Sequence, residues 1–192
     1  MTNVLGITQI VLDMDGPLVD LRKPLCELHE LPDPYTDPNR IYPFDLTKVW
    51  PIPFEHLWTG TNADWWADLP PQPWMEELVN ELELRFGTEN ISLLTSPLDD
   101  DGSCYAGKMR WIKKHLPQFR RRFLVGPAKE FASAPWRALI DDRPKNLTDF
   151  AAGGPPGTVM PTLTFPTPWN ENHAWAHDPM VIVRQWLATC DD

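Results

Sequence analysis

The stretch Asp13-Met14-Asp15-Gly16-Pro17-Leu18-Val19-Asp20 places two carboxylates at i and i+2, directly behind the apolar run of residues 7–12. On a continuing strand both carboxylates face the same side. A turn beginning at Gly16 instead folds the loop over a ligand. An aspartate can accept a phosphoryl group when a metal ion offsets part of its charge. A second aspartate nearby can protonate the leaving oxygen and then activate water. The plain alternative is an acidic turn after a strand. Thr95-Ser96-Pro97 follows another apolar run, and its hydroxyls and exposed N–H groups suit phosphate oxygens. Lys129, in Gly126-Pro127-Ala128-Lys129-Glu130, could offset phosphate charge and stabilise a transition state. Most lone lysines, however, are solvated surface groups. In Leu139-Ile140-Asp141-Asp142-Arg143-Pro144, two adjacent acids end a buried strand, which is costly unless something compensates them. Mg²⁺, a hard cation that prefers oxygen ligands, does so; Asp142 could also cap a helix.

These groups need a scaffold that brings them together. Short β-branched runs predict strands at 7–12, 91–95, 123–125, 138–140 and 159–165. Helical spacing predicts helices at 18–30, 74–86, 106–116, 145–151 and 179–189. Alternation of the two implies an α/β protein, a doubly wound, Rossmann-like parallel sheet with helices on both faces. In such sheets ligands bind beyond the carboxyl ends of the strands, where Asp13, Thr95 and Asp141 all fall. Four motifs in this order, each behind a strand, are far more specific than any one of them.

Residues 31–73 differ in character. Nine prolines interrupt every long periodicity, and Trp50, Trp58, Trp65 and Trp66 stand among them with Phe44 and Phe54. Disordered segments are poor in aromatics, so this reads as an ordered insertion, a small cap on a core formed by 1–30 and 74–192. Its aromatics could stack on a flat ring, worth roughly 1–3 kcal/mol per base, or could pack as the cap's own small core. Trp74, Trp111 and Trp186 fit the core faces of their helices.

With this pattern the chain resembles the haloacid-dehalogenase-like superfamily, through Asp13-x-Asp15-Gly16, Thr95, Lys129 and Asp141-Asp142. The resemblance implies that Asp13 is the nucleophile and Asp15 the general acid and base. Thr95, Ser96 and Lys129 hold the phosphoryl group, and Mg²⁺ sits on Asp13, the Asp15 carbonyl and one or both of Asp141 and Asp142. The second aspartate points to the phosphatase branch, since a phosphatase must protonate an alkoxide. Within the superfamily the chain looks like the 5′(3′)-deoxyribonucleotidase, or cytosolic type C 5′-nucleotidase, group. VLDMDGPLVD, LLTSP, GKMRWIKKHLP, LIDDRPKN and FPTPWNENH carry that likeness. In 31–73 only Trp65-Trp66 share it, and they are thereby candidates for contacting substrate. Pro17, and the acidic run Asp99-Asp100-Asp101, depart from the family pattern. The expected activity is Mg²⁺-dependent hydrolysis of a nucleoside monophosphate; the alternatives are another small phosphate monoester such as a sugar phosphate, or nucleotide binding without catalysis.

Composition narrows the classes further. A formal net charge of −10 repels nucleic-acid phosphates, so duplex binding is not expected. Three scattered cysteines, Cys26, Cys104 and Cys190, argue against a disulfide framework and for buried thiols in a reducing compartment. The N-terminus lacks the basic n-region of a signal peptide, and no run approaches the ~18 apolar residues of a membrane span. The expectation is a cytoplasmic protein without a membrane partner. Gly102 to Lys108 fits G-x-x-x-x-G-K, but Met109 replaces the required hydroxyl. Lys108 then belongs near the phosphate end of the sheet, or is simply exposed. His173 and His177 lack the companion acid of a zinc motif and read as surface or capping groups.

Overall fold

A computed structural model describes residues 6–98 and 102–190. Five strands form one sheet: β1 (Gln9–Leu12), β2 (Ile91–Thr95), β3 (Phe123–Val125), β4 (Arg137–Asp141) and β5 (Thr162–Thr164). Their spatial order is β3-β2-β1-β4-β5 and every pairing is parallel. The protein is thus an α/β protein of Rossmann-like type. Among the described residues seven helices accompany the sheet: α1 (Arg22–Leu28), α2 (Phe54–Leu57), α3 (Ala63–Ala67), α4 (Met75–Phe86), α5 (Gly102–His115), α6 (Pro144–Ala152) and α7 (Met180–Thr189).

Alternation along the strands divides the core in two. Ile10, Leu12, Ile91, Leu93, Ala138 and Ile140 face a large cluster built with Leu78 and Leu82 of α4, Trp111 and Ile112 of α5, and Val183 and Leu187 of α7. Val11, Leu94 and Leu139 face the other way, against Leu147 and Phe150 of α6, with Ala132 and Met160. Helices therefore cover both faces, and the central strands read as continuous apolar runs because neither face meets water. Of the cysteines only Cys104 is buried; Cys26 and Cys190 are half-buried, short of the expectation for all three.

Some bounds differ from the sequence reading. The first helix starts at Arg22, not at 18, because Met14 to Val19 form a tight loop. The Leu18 and Val19 N–H groups both donate to the Met14 carbonyl, and Val19 bridges to Asp15 and Pro71. The last strand is only three residues long: Val159 is 82% exposed and Pro161 is already outside the element.

Residues 31–73 contain a single helical turn (Leu46–Lys48), α2 and α3. Asp45 caps the turn through the Thr47 N–H, and Asn62 caps α3 through the N–H groups of Asp64 and Trp65. A small apolar cluster of Leu25, Trp50 and Leu57 ties this segment to α1. Trp66 and Leu69 belong instead to the large core beneath it. Helix α3 lies directly on α5 at Gly107, where an added Cβ would come within 2.2 Å of the Trp66 Cβ.

Candidate active site

The carboxyl ends of β1, β2 and β4 meet at the middle of the sheet, and each delivers polar side chains there. The β1 ladder continues one residue further, through the Asp13 N–H to the Ile140 carbonyl at 2.9 Å. Asp13 is buried, and Met14 after it turns into the core. Gly16 has φ +94°, a left-handed conformation that favours glycine. It must also lack a side chain, since a Cβ there would lie 2.3 Å from Asp142 Oδ2. The first motif and the last are thus in van der Waals contact through a bare backbone.

Lys129 follows β3 on a short helical turn (Lys129–Ala132) and is 1% exposed. Its ammonium donates to Asp13 Oδ1 at 2.6 Å and to Asp141 Oδ2 at 2.5 Å. Asp141 is held on its other side by the Arg143 N–H at 2.8 Å and by Asn146 Nδ2 at 3.1 and 3.2 Å. Asp142 lines the cavity above, and Asp141 does not. Asn170, buried in the loop after β5, donates through Nδ2 to the Asp142 carbonyl at 2.9 Å and to the Phe165 carbonyl at 2.8 Å, fixing that loop against β4.

A second lysine completes the site. Lys108, on α5, is also 1% exposed. It donates to Thr95 Oγ1 at 2.7 Å and the Ser96 carbonyl at 2.8 Å, and it pairs with Asp15 Oδ2. Asp15 Oδ1 is buried and has no partner among the described residues. Thr95, Ser96, Asp13, Asp15, Lys129, Asp141 and Asp142 therefore all converge. The sequence allows Lys108 either the phosphate end of the sheet or the surface, and it lies at the former. The signal was present: Cys104, Gly107, Lys108, Trp111 and Ile112 are the buried residues of α5, so this lysine falls on an apolar helical stripe. The same helix, running through Gly102 to Lys108, leaves no loop to cradle a triphosphate.

The electrostatics are those of crowded, dry carboxylates. Burial pushes Asp13 up to about 7, Lys129 opposes that shift, and the neighbouring Asp141 and Asp15 reinforce it. Burial, then Asp141 and Asp13, raise Asp142 well above the usual carboxylate range. Burial would lower Lys129, but the charges of Asp13 and Asp141 more than offset it and hold the ammonium above the ordinary lysine value. One oxygen from each of Asp13, Asp141 and Asp142 lies within 4.8 Å of the others. Three carboxylates facing one ammonium would leave negative charge over if all were ionised, which, added to burial, is why Asp13 and Asp142 hold protons so firmly without a further cation. An all-oxygen donor set of this kind fits a hard divalent cation. Among the described residues it is the single group of acidic or metal-ligating side chains with that geometry.

Above the acids is a cavity of about 1370 Å³, lined by core residues and by residues 35–61. Trp66 lines it and lies beneath the Lys108 ammonium, 5.5 Å from the ring centroid. Trp65 does not line it; it packs edge-on against Trp66 between the two apolar clusters. Other aromatics supply the walls: Phe44, Phe54, Trp58, Trp74 and Trp169. His173 and His177 also line this cavity, His173 half-buried and His177 exposed. Asp99 to Asp101 lie outside the described residues. No protein-family model matches this chain, and no curated protein matches it. Among the described residues no helix is long and apolar enough to cross a membrane.

Proposed function

We propose that the protein is a haloacid-dehalogenase-like phosphatase that hydrolyses a nucleoside monophosphate, residues 31–73 acting as its cap. The observation that supports this most strongly is the convergence of Asp13, Asp15, Thr95, Lys108, Lys129 and the Asp141-Asp142 pair on one point of the sheet. Mg²⁺ would be held by Asp13, the Asp15 carbonyl and Asp142, with Asp141 behind, and would supply charge neutralisation at the phosphoryl oxygens.

Asp13 attacks phosphorus in line and forms an aspartyl phosphate. Lys129 holds the attacking carboxylate in place through the bond to Oδ1, leaving Oδ2 for the reaction. Lys108, Thr95 and Ser96 face the equatorial oxygens and stabilise their charge. Asp15 donates its proton to the leaving oxygen, then takes one from the water that cleaves the aspartyl phosphate. Its buried Oδ1, without a partner among the described residues, is the oxygen that would carry that proton. Leu57, Trp58 and Phe54 line the cavity, and with substrate bound they would keep bulk water from it.

Phosphate release from a panel of deoxyribonucleotides, ribonucleotides and sugar phosphates tests this, run with Mg²⁺, with EDTA and with Asp13→Asn. Mg²⁺-dependent release that Asp13→Asn abolishes, strongest on a nucleotide, is the expected result. Release confined to sugar phosphates removes the nucleotide assignment. Well-folded protein silent on every substrate removes the phosphatase assignment.

A further inference from the structure

One wall of the cavity is a run of four rings with a cation on the ring at each end. The Arg143 guanidinium lies 4.6 Å from the Phe44 centroid. Phe44 meets Trp169 edge-on at 6.0 Å, Trp169 meets Tyr35 at 5.5 Å, and Tyr35 meets Tyr42 at 5.1 Å. Arg40 closes the far end, 4.9 Å from the Tyr42 centroid. Phe44, Trp169, Tyr35, Arg40 and Arg143 all line the cavity. The run therefore leads from the residue beside Asp142 out towards the rim, with a guanidinium at each end.

Neither guanidinium forms an ion pair or a hydrogen bond with any described residue, although several carboxylates line the same cavity. Arg22, midway along the wall, differs: it is tied to Asp33 at 3.5 Å. Arg143 is half-buried, and a half-buried cation in an acidic protein is expected to find a carboxylate. Here it rests on an aromatic face, which fixes its position and leaves all its N–H donors open. A planar, weakly hydrated guanidinium held this way matches the paired oxygens of a phosphate or carboxylate. It makes no ion pair with Asp13, Asp15 or Asp142 and is seated instead on Phe44 in the wall of the cavity, a position suited to a group on the leaving side of the ester.

We propose that Arg143, with Arg40 further out, forms a second oxyanion subsite, so that the preferred substrate carries a second phosphate or a carboxylate on its leaving group. The inference rests on the phosphatase reading only for which ester bond is cleaved. Binding to the subsite itself does not require turnover.

The test is titration calorimetry with Mg²⁺ on full-length Asp13→Asn protein, using matched ligand pairs. Deoxyadenosine 5′-monophosphate against deoxyadenosine 3′,5′-bisphosphate reads a second phosphate. Phenyl phosphate against 3-carboxyphenyl phosphate reads a carboxylate. The expected result is that one doubly anionic ligand binds about tenfold tighter than its partner. Adding Arg143→Ala brings that ratio to within about twofold of unity, and Arg143→Lys leaves it intermediate. Arg40→Ala, at an exposed position, provides a second variant that keeps the fold and lowers the ratio less. Equal affinities within both pairs, or a preference unchanged by Arg143→Ala, overturns the subsite. Because each ratio is taken within one protein, a general loss of stability does not imitate the effect. Wild-type turnover on the same ligands separates the two ideas: no hydrolysis with an Arg143-dependent ratio refutes the phosphatase alone, and hydrolysis with equal KM values refutes the subsite alone.

Discussion

Replacing Lys129 by Met removes the one ammonium that lies between Asp13 and Asp141. Both carboxylates are buried and their bonds to it are 2.6 and 2.5 Å long. Breaking a buried pair by removing one partner costs about 3–5 kcal/mol, because the remaining charge has neither water nor counter-ion. In a domain of this size each kcal/mol moves Tm by about 2–4 °C, so a fall of about 6–20 °C is expected in EDTA. The methionine fills much of the lysine volume, so little of that loss comes from a cavity. Adding Asp141→Asn to Lys129→Met removes one of the stranded charges and should recover about 1–3 kcal/mol, a coupling that distant sites do not show. Millimolar Mg²⁺ should also shrink the deficit, since a cation at Asp13 and Asp142 replaces the lost charge. Urea denaturation of the four proteins of the cycle, with EDTA and with Mg²⁺, provides the measurement. A loss below about 1 kcal/mol in EDTA, or no recovery in the double variant, refutes the view that the ammonium holds the acids together.

Gly16→Ala should abolish Mg²⁺-dependent stabilisation while leaving the sheet folded, because its Cβ displaces Asp142 Oδ2 from 2.3 Å away; a Tm titration with Mg²⁺ reads this. Gly107→Ala should lose about 1–3 kcal/mol through overpacking against Trp66 and the Ala63 carbonyl, despite alanine's better helix propensity; thermal melting followed by near-UV circular dichroism gives the loss. The Tm gain on adding Mg²⁺ should be larger at pH 8 than at pH 5. Asp13 is raised from 3.8 to about 7, so between those values the folded state holds more protons than the unfolded state. Its contribution to stability without metal is therefore full below the lower value and lost as pH rises through the upper. An ion binding at pH 5 must first displace that proton, and a gain independent of pH refutes the assignment of metal to Asp13.

The strands were legible where burial on both faces left an unbroken apolar run. Ile91–Thr95 and Phe123–Val125 have the bounds their sequence implies, and residues 137–141 extend the expected strand by one at each end. Residues 159–165 read as a strand because Val159, Thr162, Thr164 and Phe165 are strand formers, yet only Thr162–Thr164 pair with β4. Propensity carries no information about where a partner ends. Asp13, Asp15, Thr95, Asp141 and Asp142 were recognisable because acids and hydroxyls directly behind buried strands are conspicuous. Lys108 was legible only in part: the apolar stripe it shares turns it inward, but a helical lysine is usually solvated and its partners lie up to 93 positions away in the chain. The wall aromatics were visible as a class, but which of them face the cavity depends on tertiary packing. Trp65 and Trp66 are neighbours in sequence and differ on that point.

The order of the strands across the sheet bears on the order in which the protein can be finished during synthesis. β1 leaves the ribosome before the other four strands of the sheet and lies in its middle, between β2 and β4. Its first neighbour is 81 residues downstream in register, Ile91 against Ile10, and its second is 128 residues downstream, Ala138 against Ile10. The nascent chain therefore holds this central strand open on one edge until β4 has been made. A strand edge of this kind is where a growing chain pairs wrongly or recruits a chaperone. Asp13 lacks its counter-ion for almost as long, because Lys129 is made 116 residues later. The central pairing of the sheet and the buried acid cluster are thus completed together, and a chain that ends before β4 lacks both the β1–β4 pairing and the Asp141-Asp142 pair.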